Sequence, residues 1–231
     1  MRHSELRDVP VVTIDGPSGS GKGTVSRAAA RILGWEWLDS GALYRLVALG
    51  GRRAGIDLGD AEGLAQLALE LEMRFGSSPM GGEIVYLGEN DVTSAIRTES
   101  AGNDASKVAA LPAVRAALLE RQRRFAVPPG LVADGRDMGT VVFPQAQVKI
   151  FLTASADERA ERRYKQLKEK GVAATLAALS KEIAERDLRD RTRSTSPLVA
   201  SQDAVLLDST GLSVDAVVER VLKIIGERIL V

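Results

Sequence analysis

Nine consecutive residues, Gly16-Pro17-Ser18-Gly19-Ser20-Gly21-Lys22-Gly23-Thr24, set four glycines around one lysine. Without Cβ atoms, a glycine-rich turn can curl its backbone N–H groups around a polyphosphate. The short apolar run Val11-Val12-Thr13-Ile14 precedes this turn and a helical pattern follows it. Strand, turn and helix start are the context that a phosphate-cradling P-loop requires, and the helix N-terminus adds partial positive charge where the anion sits. Lys22 can then reach the β and γ phosphates, and a nearby hydroxyl, here Thr24, can ligate Mg²⁺. The usual pattern puts Ser or Thr directly after the lysine; here Gly23 intervenes. A glycine-rich turn with a chance lysine is the plainer alternative, and the agreement of strand, loop and helix signals argues against it.

Three further groups are candidates for chemistry. Asp39-Ser40-Gly41-Ala42-Leu43-Tyr44-Arg45 runs from a strand end into a helix, and the carboxyl edge of an open α/β sheet is where ligands bind. Taken alone, Ser40 reads first as an N-cap. Asp134-Gly135-Arg136-Asp137 follows the apolar run Leu131–Ala133. An aspartate ending a strand beside a P-loop strand is placed to hold Mg²⁺ directly or through water; Asp-Gly is also a common turn dipeptide. The third group is arginine-rich. Arg186, Asp190 and Arg193 share a helix face if the helix extends that far, and Arg159, Arg162 and Arg163 form a second cluster at helical spacing. Each reads as a solvated face by itself, with an Arg–Asp pair worth a few tenths of a kcal/mol. Beside a P-loop they become candidates for clamping a transferring phosphoryl group.

The elements that must position these groups follow from periodicity. Strands are expected at Val11–Ile14, Trp35–Leu38, Leu131–Ala133, Val148–Thr153 and Ala204–Leu207. The expected helices are Lys22–Leu33 with Gly34 as its stop, Ser40–Arg53 with Ser40 as its cap, Leu64–Leu71, Glu99–Ala110, Ala113–Phe125, Ala156–Lys170, Leu176–Asp190 and Val214–Ile225. Strands alternating with helices imply a parallel sheet covered on both faces. Between Glu72 and Ser94 the pattern changes to short strand-like pieces, Glu72–Phe75, Glu83–Leu87 and Asp91–Ser94, separated by glycine-rich turns. This predicts a small antiparallel meander inserted into the α/β chain.

Composition narrows the chemistry. The 231 residues suit one α/β domain with a small insertion. Acidic and basic residues balance at 31 each, which argues against holding nucleic acid through bulk charge. There are 23 Arg against 8 Lys; a genome-wide composition bias accounts for most of that excess, so position must decide which arginines matter. No cysteine is present, which excludes disulfides and thiolate metal sites, and the sole histidine is His3 in a polar N-terminal stretch, residues 1–9, expected to be loose, which argues against histidine acid–base catalysis and His-ligated metals. No apolar run approaches the ~20 residues of a membrane span, and no signal-peptide core is evident. A cytoplasmic monomer is the expectation.

Taken in order, the P-loop, Asp-Ser-Gly-x-x-Tyr-Arg, the strand insertion, Asp-Gly-Arg-Asp and the arginine-rich helices closely resemble bacterial cytidylate kinases from about Val11 to the C-terminus. The Gly-Lys-Gly-Thr ending is similar to the P-loop of nucleoside monophosphate kinases. Further matching segments are Ala95-Ile96-Arg97-Thr98, Pro112-Ala113-Val114-Arg115, Gly139-Thr140-Val141-Val142-Phe143-Pro144, Glu185-Arg186-Asp187 and Leu207-Asp208-Ser209-Thr210. Gln145 stands where the family often has Asp.

The resemblance implies a P-loop kinase fold, α/β, with a parallel sheet flanked by helices, an inserted antiparallel-sheet domain that binds the acceptor, and a helical lid. Residues 1–62, 111–160 and 191–231 would form the core, 63–110 the insertion and 161–190 the lid. It implies transfer of the γ-phosphoryl group of Mg-ATP to CMP or dCMP. In that scheme Gly16–Thr24 with Lys22 hold ATP, and Thr24 and Asp134 attend Mg²⁺. Arg45 and Arg136 hold the acceptor phosphate, with Tyr44 beside them. Ser40, Arg115, Asp137 and Arg193 surround the cytosine edge, and Ser106, Arg186 and Asp190 reach the ribose. Arg162 and Arg163 act as lid arginines. Two other readings of the residues stay open: a P-loop kinase acting on a small hydroxyl-bearing metabolite, and a nucleotide-dependent regulatory protein without acceptor turnover.

Overall fold

Continuous apolar strands need cover on both faces, and the computed structural model, which describes residues 9–77, 83–169 and 171–229, provides it. Residues 1–8 of the expected loose N-terminus, residues 78–82 of the expected glycine-rich turn, and Lys170 lie outside the described residues. Val9, assigned to that loose stretch, is buried.

The chain divides into two compact units: unit 1 holds the residues up to Asp39 and those from Arg123 onward, and unit 2 holds Ser40–Gln122. In unit 1, β1 (Val11–Asp15), β2 (Glu36–Asp39), β6 (Leu131–Gly135), β7 (Val148–Thr153) and β8 (Val205–Asp208) form one sheet in the order β2-β6-β1-β7-β8. Every pairing in it is parallel. Helices α1 (Lys22–Leu33), α6 (Ala156–Glu169), α7 (Leu176–Thr192) and α8 (Val214–Ile229) belong to the same unit. Its core sets Val12, Ile14, Val132, Val148, Ile150 and Leu152 of the strands against Val25, Ala29 and Ala30 of α1 and Val217, Val221 and Ile225 of α8. The chain leaves β1 for one edge of the sheet, then returns past it, so the carboxyl end of β1 lies at the switch point where α/β sheets bind ligands.

Unit 2 contains a three-stranded antiparallel sheet, β3 (Met73–Ser77), β4 (Glu83–Leu87) and β5 (Asn90–Asp91), with α2 (Ser40–Ala54), α3 (Ala61–Glu70), α4 (Glu99–Val108) and all but the last residue of α5 (Pro112–Arg123). Ala42 and Leu46 of α2 pack with Val85, Leu87, Val92 and Ile96. The unit is wider on both sides than the 63–110 segment.

Several expectations are corrected. Ser40 is the first residue of α2 rather than a cap outside it. Helix α5 opens at Pro112, one residue before the expected Ala113, because the missing N–H of a proline would have no intrahelical partner at that position. The third inserted strand is shorter and earlier than Asp91–Ser94, and a 3-10 turn over Ala95–Arg97 follows it. A π turn spans Met138–Val142, which no periodicity in the sequence announced. Helix α7 ends at Thr192, so Arg193 stands just past it with extended backbone, φ −62° and ψ 140°. Among the described residues, no helix is long and apolar enough to cross a membrane.

Candidate active site

In unit 1 the P-loop joins β1 to α1. Gly19 and Gly21 adopt φ of 77° and 88°, left-handed values that a side chain would strain. A Cβ on Gly16 would fall 2.0 Å from the Leu152 carbonyl oxygen, so the loop leaves β1 flush against β7. Two arginines of α6 hold the loop from outside. Arg159 donates from Nη1 to Ser18 O at 2.9 Å, and Arg162 from Nη1 to Ser20 O at 3.3 Å. Arg162 also donates to Ser209 O at 2.6 Å and to Glu158 at 2.8 Å.

Lys22 opens α1 and donates from Nζ to Pro17 O at 3.2 Å. Burial, then the positive charge of Arg136, push its pKa down, with Arg186 adding to the effect; Asp134 and Asp39 oppose it. Asp134, buried in β6, is pushed up by burial and by the Asp39 charge, while Lys22 and its hydrogen bonds pull it down. Its Oδ1 accepts from Ser26 Oγ at 2.7 Å and from Trp37 Nε1 at 2.9 Å. Oδ2 faces Gly23, 3.9 Å from where a Cβ there would stand.

Beyond β6, Arg136 donates from Nε to Asp190 Oδ2 at 2.7 Å. Burial alone would raise Asp190, but the charge and hydrogen bond of Arg136, with Arg186 and Arg193, hold it below the ordinary carboxylate value. The expected residues Lys22, Asp134, Arg136, Arg186, Asp190 and Arg193 therefore share one electrostatic cluster within unit 1. Arg193 donates from Nε to Ser196 O, and Ser196 is the sole non-glycine residue with positive φ, 51°, among the described residues. Asp137 is buried beside Arg136. Asp15, the last residue of β1, accepts from the amides of Met138 and Gly139, each at 2.8 Å.

The other expected acceptor residues belong to unit 2. Ser40 and Tyr44 are buried and Arg45 half-buried on α2, and Ser106 is buried on α4. Arg115 of α5 lies over the Tyr44 ring, 5.6 Å from its centroid, and donates to Ala109 O at 3.1 Å. The two expected lid arginines differ: Arg162 is engaged with the P-loop, whereas Arg163 donates to Gln166 on its own helix at 3.1 Å. Thr24 is exposed on the first turn of α1.

Three side chains that sequence reasoning left out support the site, Asp187, Asp15 and Trp37, and Arg159, a candidate phosphoryl clamp in the sequence, is instead paired with Asp187 and the Ser18 carbonyl. Arg159 was visible only as a member of an arginine cluster, and Asp187 only as part of Glu185-Arg186-Asp187. Asp15 and Trp37 carried no signal beyond a charged or polar group beside a strand end.

Comparison with known proteins agrees with this architecture. The family model described as cytidylate kinase matches residues 12–227. A protein of Stutzerimonas stutzeri strain A1501 named cytidylate kinase is 57% identical over 224 residues, covering 96% of this chain and 98% of the relative. One of Azotobacter vinelandii strain DJ with the same name is 57% identical, covering 94% of this chain and 96% of its own length. One of Methylococcus capsulatus strain Bath is 55% identical, covering 94% and 97% respectively.

Proposed function

This chain belongs to the cytidylate kinase family, and from that premise we propose that it transfers the γ-phosphoryl group of ATP to the 5′-phosphate of CMP or dCMP, giving CDP or dCDP and ADP. The observation that carries the reading is the cluster at the carboxyl ends of β1 and β6, where Lys22 stands in the field of Arg136 and Arg186 while Asp190 holds Arg136. A phosphate acceptor is already an anionic nucleophile, so no strong general base is needed. Catalysis is then positioning plus neutralisation of charge on the transferring group. The lowered pKa of Lys22 reflects burial first and then the positive charge of Arg136, and the negative charge of a bound polyphosphate favours the ammonium form.

In this scheme the backbone of Gly16–Thr24 cradles the ATP phosphates. Arg136 and Arg45 engage the acceptor phosphate, and Tyr44, under Arg115, stiffens the acceptor residues of unit 2. Asp137, Arg115, Ser40 and Arg193 read the cytosine edge, and Asp190, Arg186 and Ser106 the sugar. Arg162 and Arg163 belong to the lid over the donor. Water must be excluded or ATP would be hydrolysed, and a closing lid does that.

The residues present fit a magnesium ion carried with the nucleotide. Among the described residues no three ligating side chains converge, and Mg²⁺ in such sites takes one or two protein oxygens plus phosphates and water. Thr24 and the Oδ2 side of Asp134 would hold it. When bound it neutralises phosphate charge. On this reading the protein works as a cytoplasmic monomer.

A coupled ADP-release assay with a panel of acceptors tests the proposal. Activity with CMP and dCMP, weak activity with UMP, and almost none with AMP, GMP or alcohols is expected. Robust phosphorylation of an uncharged hydroxyl substrate would mean a different kinase class, and acceptor-independent hydrolysis would mean a regulatory protein.

A further inference from the structure

We infer that Asp15 is a positioning residue for the acceptor side of the site: its carboxylate holds the segment Arg136-Asp137-Met138-Gly139 in place from the neighbouring strand. The inference rests on the proposed roles of Arg136 and Asp137. Asp15 ends β1 and pairs in register with Gly135 of β6. Its two oxygens are divided between two donors, Oδ1 accepting from Met138 N and Oδ2 from Gly139 N, both at 2.8 Å.

Those amides are the first two of the π turn Met138–Val142. The opening N–H groups of any helical turn lack partners within it, and a side chain just before the turn usually supplies one. Here Asp137 occupies that preceding position and makes no side-chain cap bond to the turn. The cap comes instead from a residue more than a hundred positions earlier. This arrangement releases the Asp137 side chain from capping. Its backbone is fixed as well, because the Asp137 carbonyl accepts from Val141 N at 2.9 Å and Val142 N at 3.2 Å.

The segment has little room to relax. A Cβ on Gly139 would stand 2.9 Å from Thr13 Oγ1 and 3.2 Å from Lys149 Cδ, so the turn lies hard against β1 and β7. Lys149 is itself held by Pro144 O at 2.7 Å and by Asp203 at 2.9 Å. Asp15 thus joins the strand that launches the P-loop to the residues proposed to read the acceptor.

The test is Asp15→Asn, which keeps size but turns an N–H₂ toward one of the two amide donors. KM for CMP should rise about tenfold or more, as expected when a buried amide donor in a segment that orients a binding group loses its acceptor. KM for ATP should change less than about threefold. Should Asp15→Asn fail to fold, Gly139→Ala displaces the same segment from the Thr13 side and should show the same split. A fall in Tm with both KM values unchanged, or equal rises in the two, would overturn the positioning role and leave Asp15 a structural cap. The acceptor panel on the wild-type protein tests the proposed function separately, so the two ideas fail on different measurements.

Discussion

The guanidinium of Arg159 on α6 grips the carboxylate of Asp187 on α7 with two hydrogen bonds, Nη2 to Oδ2 at 2.6 Å and Nη1 to Oδ1 at 3.1 Å, and both side chains are buried. The same Nη1 reaches Ser18 O, so one ion pair supports both the helix pair and the P-loop. Removing one partner leaves the other charge buried without compensation. Asp187→Ala is therefore expected to cost about 3–5 kcal/mol and to raise KM for ATP. The double change Arg159→Met with Asp187→Leu should recover most of that stability without restoring ATP affinity. Urea unfolding and ATP titration of the wild type and the two variants check this; an Asp187→Ala loss well under about 1 kcal/mol would show the pair to be ornamental.

Lys22→Met is expected to nearly abolish turnover while leaving the fold intact. Comparable electrostatic deletions cost roughly 3–4 kcal/mol in the transition state. The folded-state pKa of about 7 lies below the ordinary 10.5, so the unfolded chain binds the proton more tightly between those values. The charged lysine consequently lowers stability most below pH 7, and that cost shrinks as pH rises toward 10.5. The methionine variant should melt no lower than wild type at pH 6.5. Retention of most kcat with ATP and CMP would remove Lys22 from the phosphate site.

Asp190 has a signature in acid. Its pKa is lowered from 3.8 by Arg136 and neighbouring arginines against the opposing effect of burial, so it adds stability that is present above the unfolded value. That stability is lost as pH falls through the lower folded value. The stability advantage of wild type over Asp190→Asn should therefore be constant from pH 7 to about pH 5 and close below about pH 4. A gap that widens in acid would contradict the ion pair.

The same residue separates a sugar contact from a structural one. Asp190→Ala should lower kcat/KM about ten- to a hundredfold, unequally for CMP, dCMP and arabinosyl-CMP, which differ at the 2′ position. An unchanged sugar profile at full activity would return Asp190 to a purely structural role.

Base selectivity should depend on Asp137. CMP offers an N4 donor that a carboxylate can accept, whereas UMP presents a carbonyl. Asp137→Ala should hurt CMP more than UMP, by at least ~1–3 kcal/mol. Equal losses with the two substrates would move Asp137 out of the base pocket.

What was legible in the sequence was local. Val11–Ile14, the glycine turn and Lys22–Leu33 announce themselves because strand burial, left-handed glycines and the stop at Gly34 each leave a mark within a few residues. Arg136 and Asp190 stood out by residue type at a sheet edge and on a helix. Their pairing did not, since it joins positions 54 apart. Arg159 and Asp187 were hidden for the same reason: a buried ion pair and a solvated charged face look alike along the chain. The Met138–Val142 turn follows no helix or strand period, and its cap lies on another strand, so neither signal was available. Ser40 misled because a serine at a strand-to-helix junction has the residue type of a cap whichever side of the boundary it occupies.

The hydrogen bond from Trp37 Nε1 to Asp134 gives the protein a built-in optical gauge. Indole emission responds to the charge its N–H faces, and this N–H faces the buried carboxylate nearest the proposed magnesium position. The chain has two tryptophans, Trp35 and Trp37, and the Trp35 ring packs against Gly130, away from that carboxylate. A Trp35→Phe protein would carry a single tryptophan, hydrogen-bonded to Asp134. Its emission should shift when Mg-ATP arrives and stay still when CMP arrives alone, so the loading order of the two substrates can be followed in real time without attaching a label.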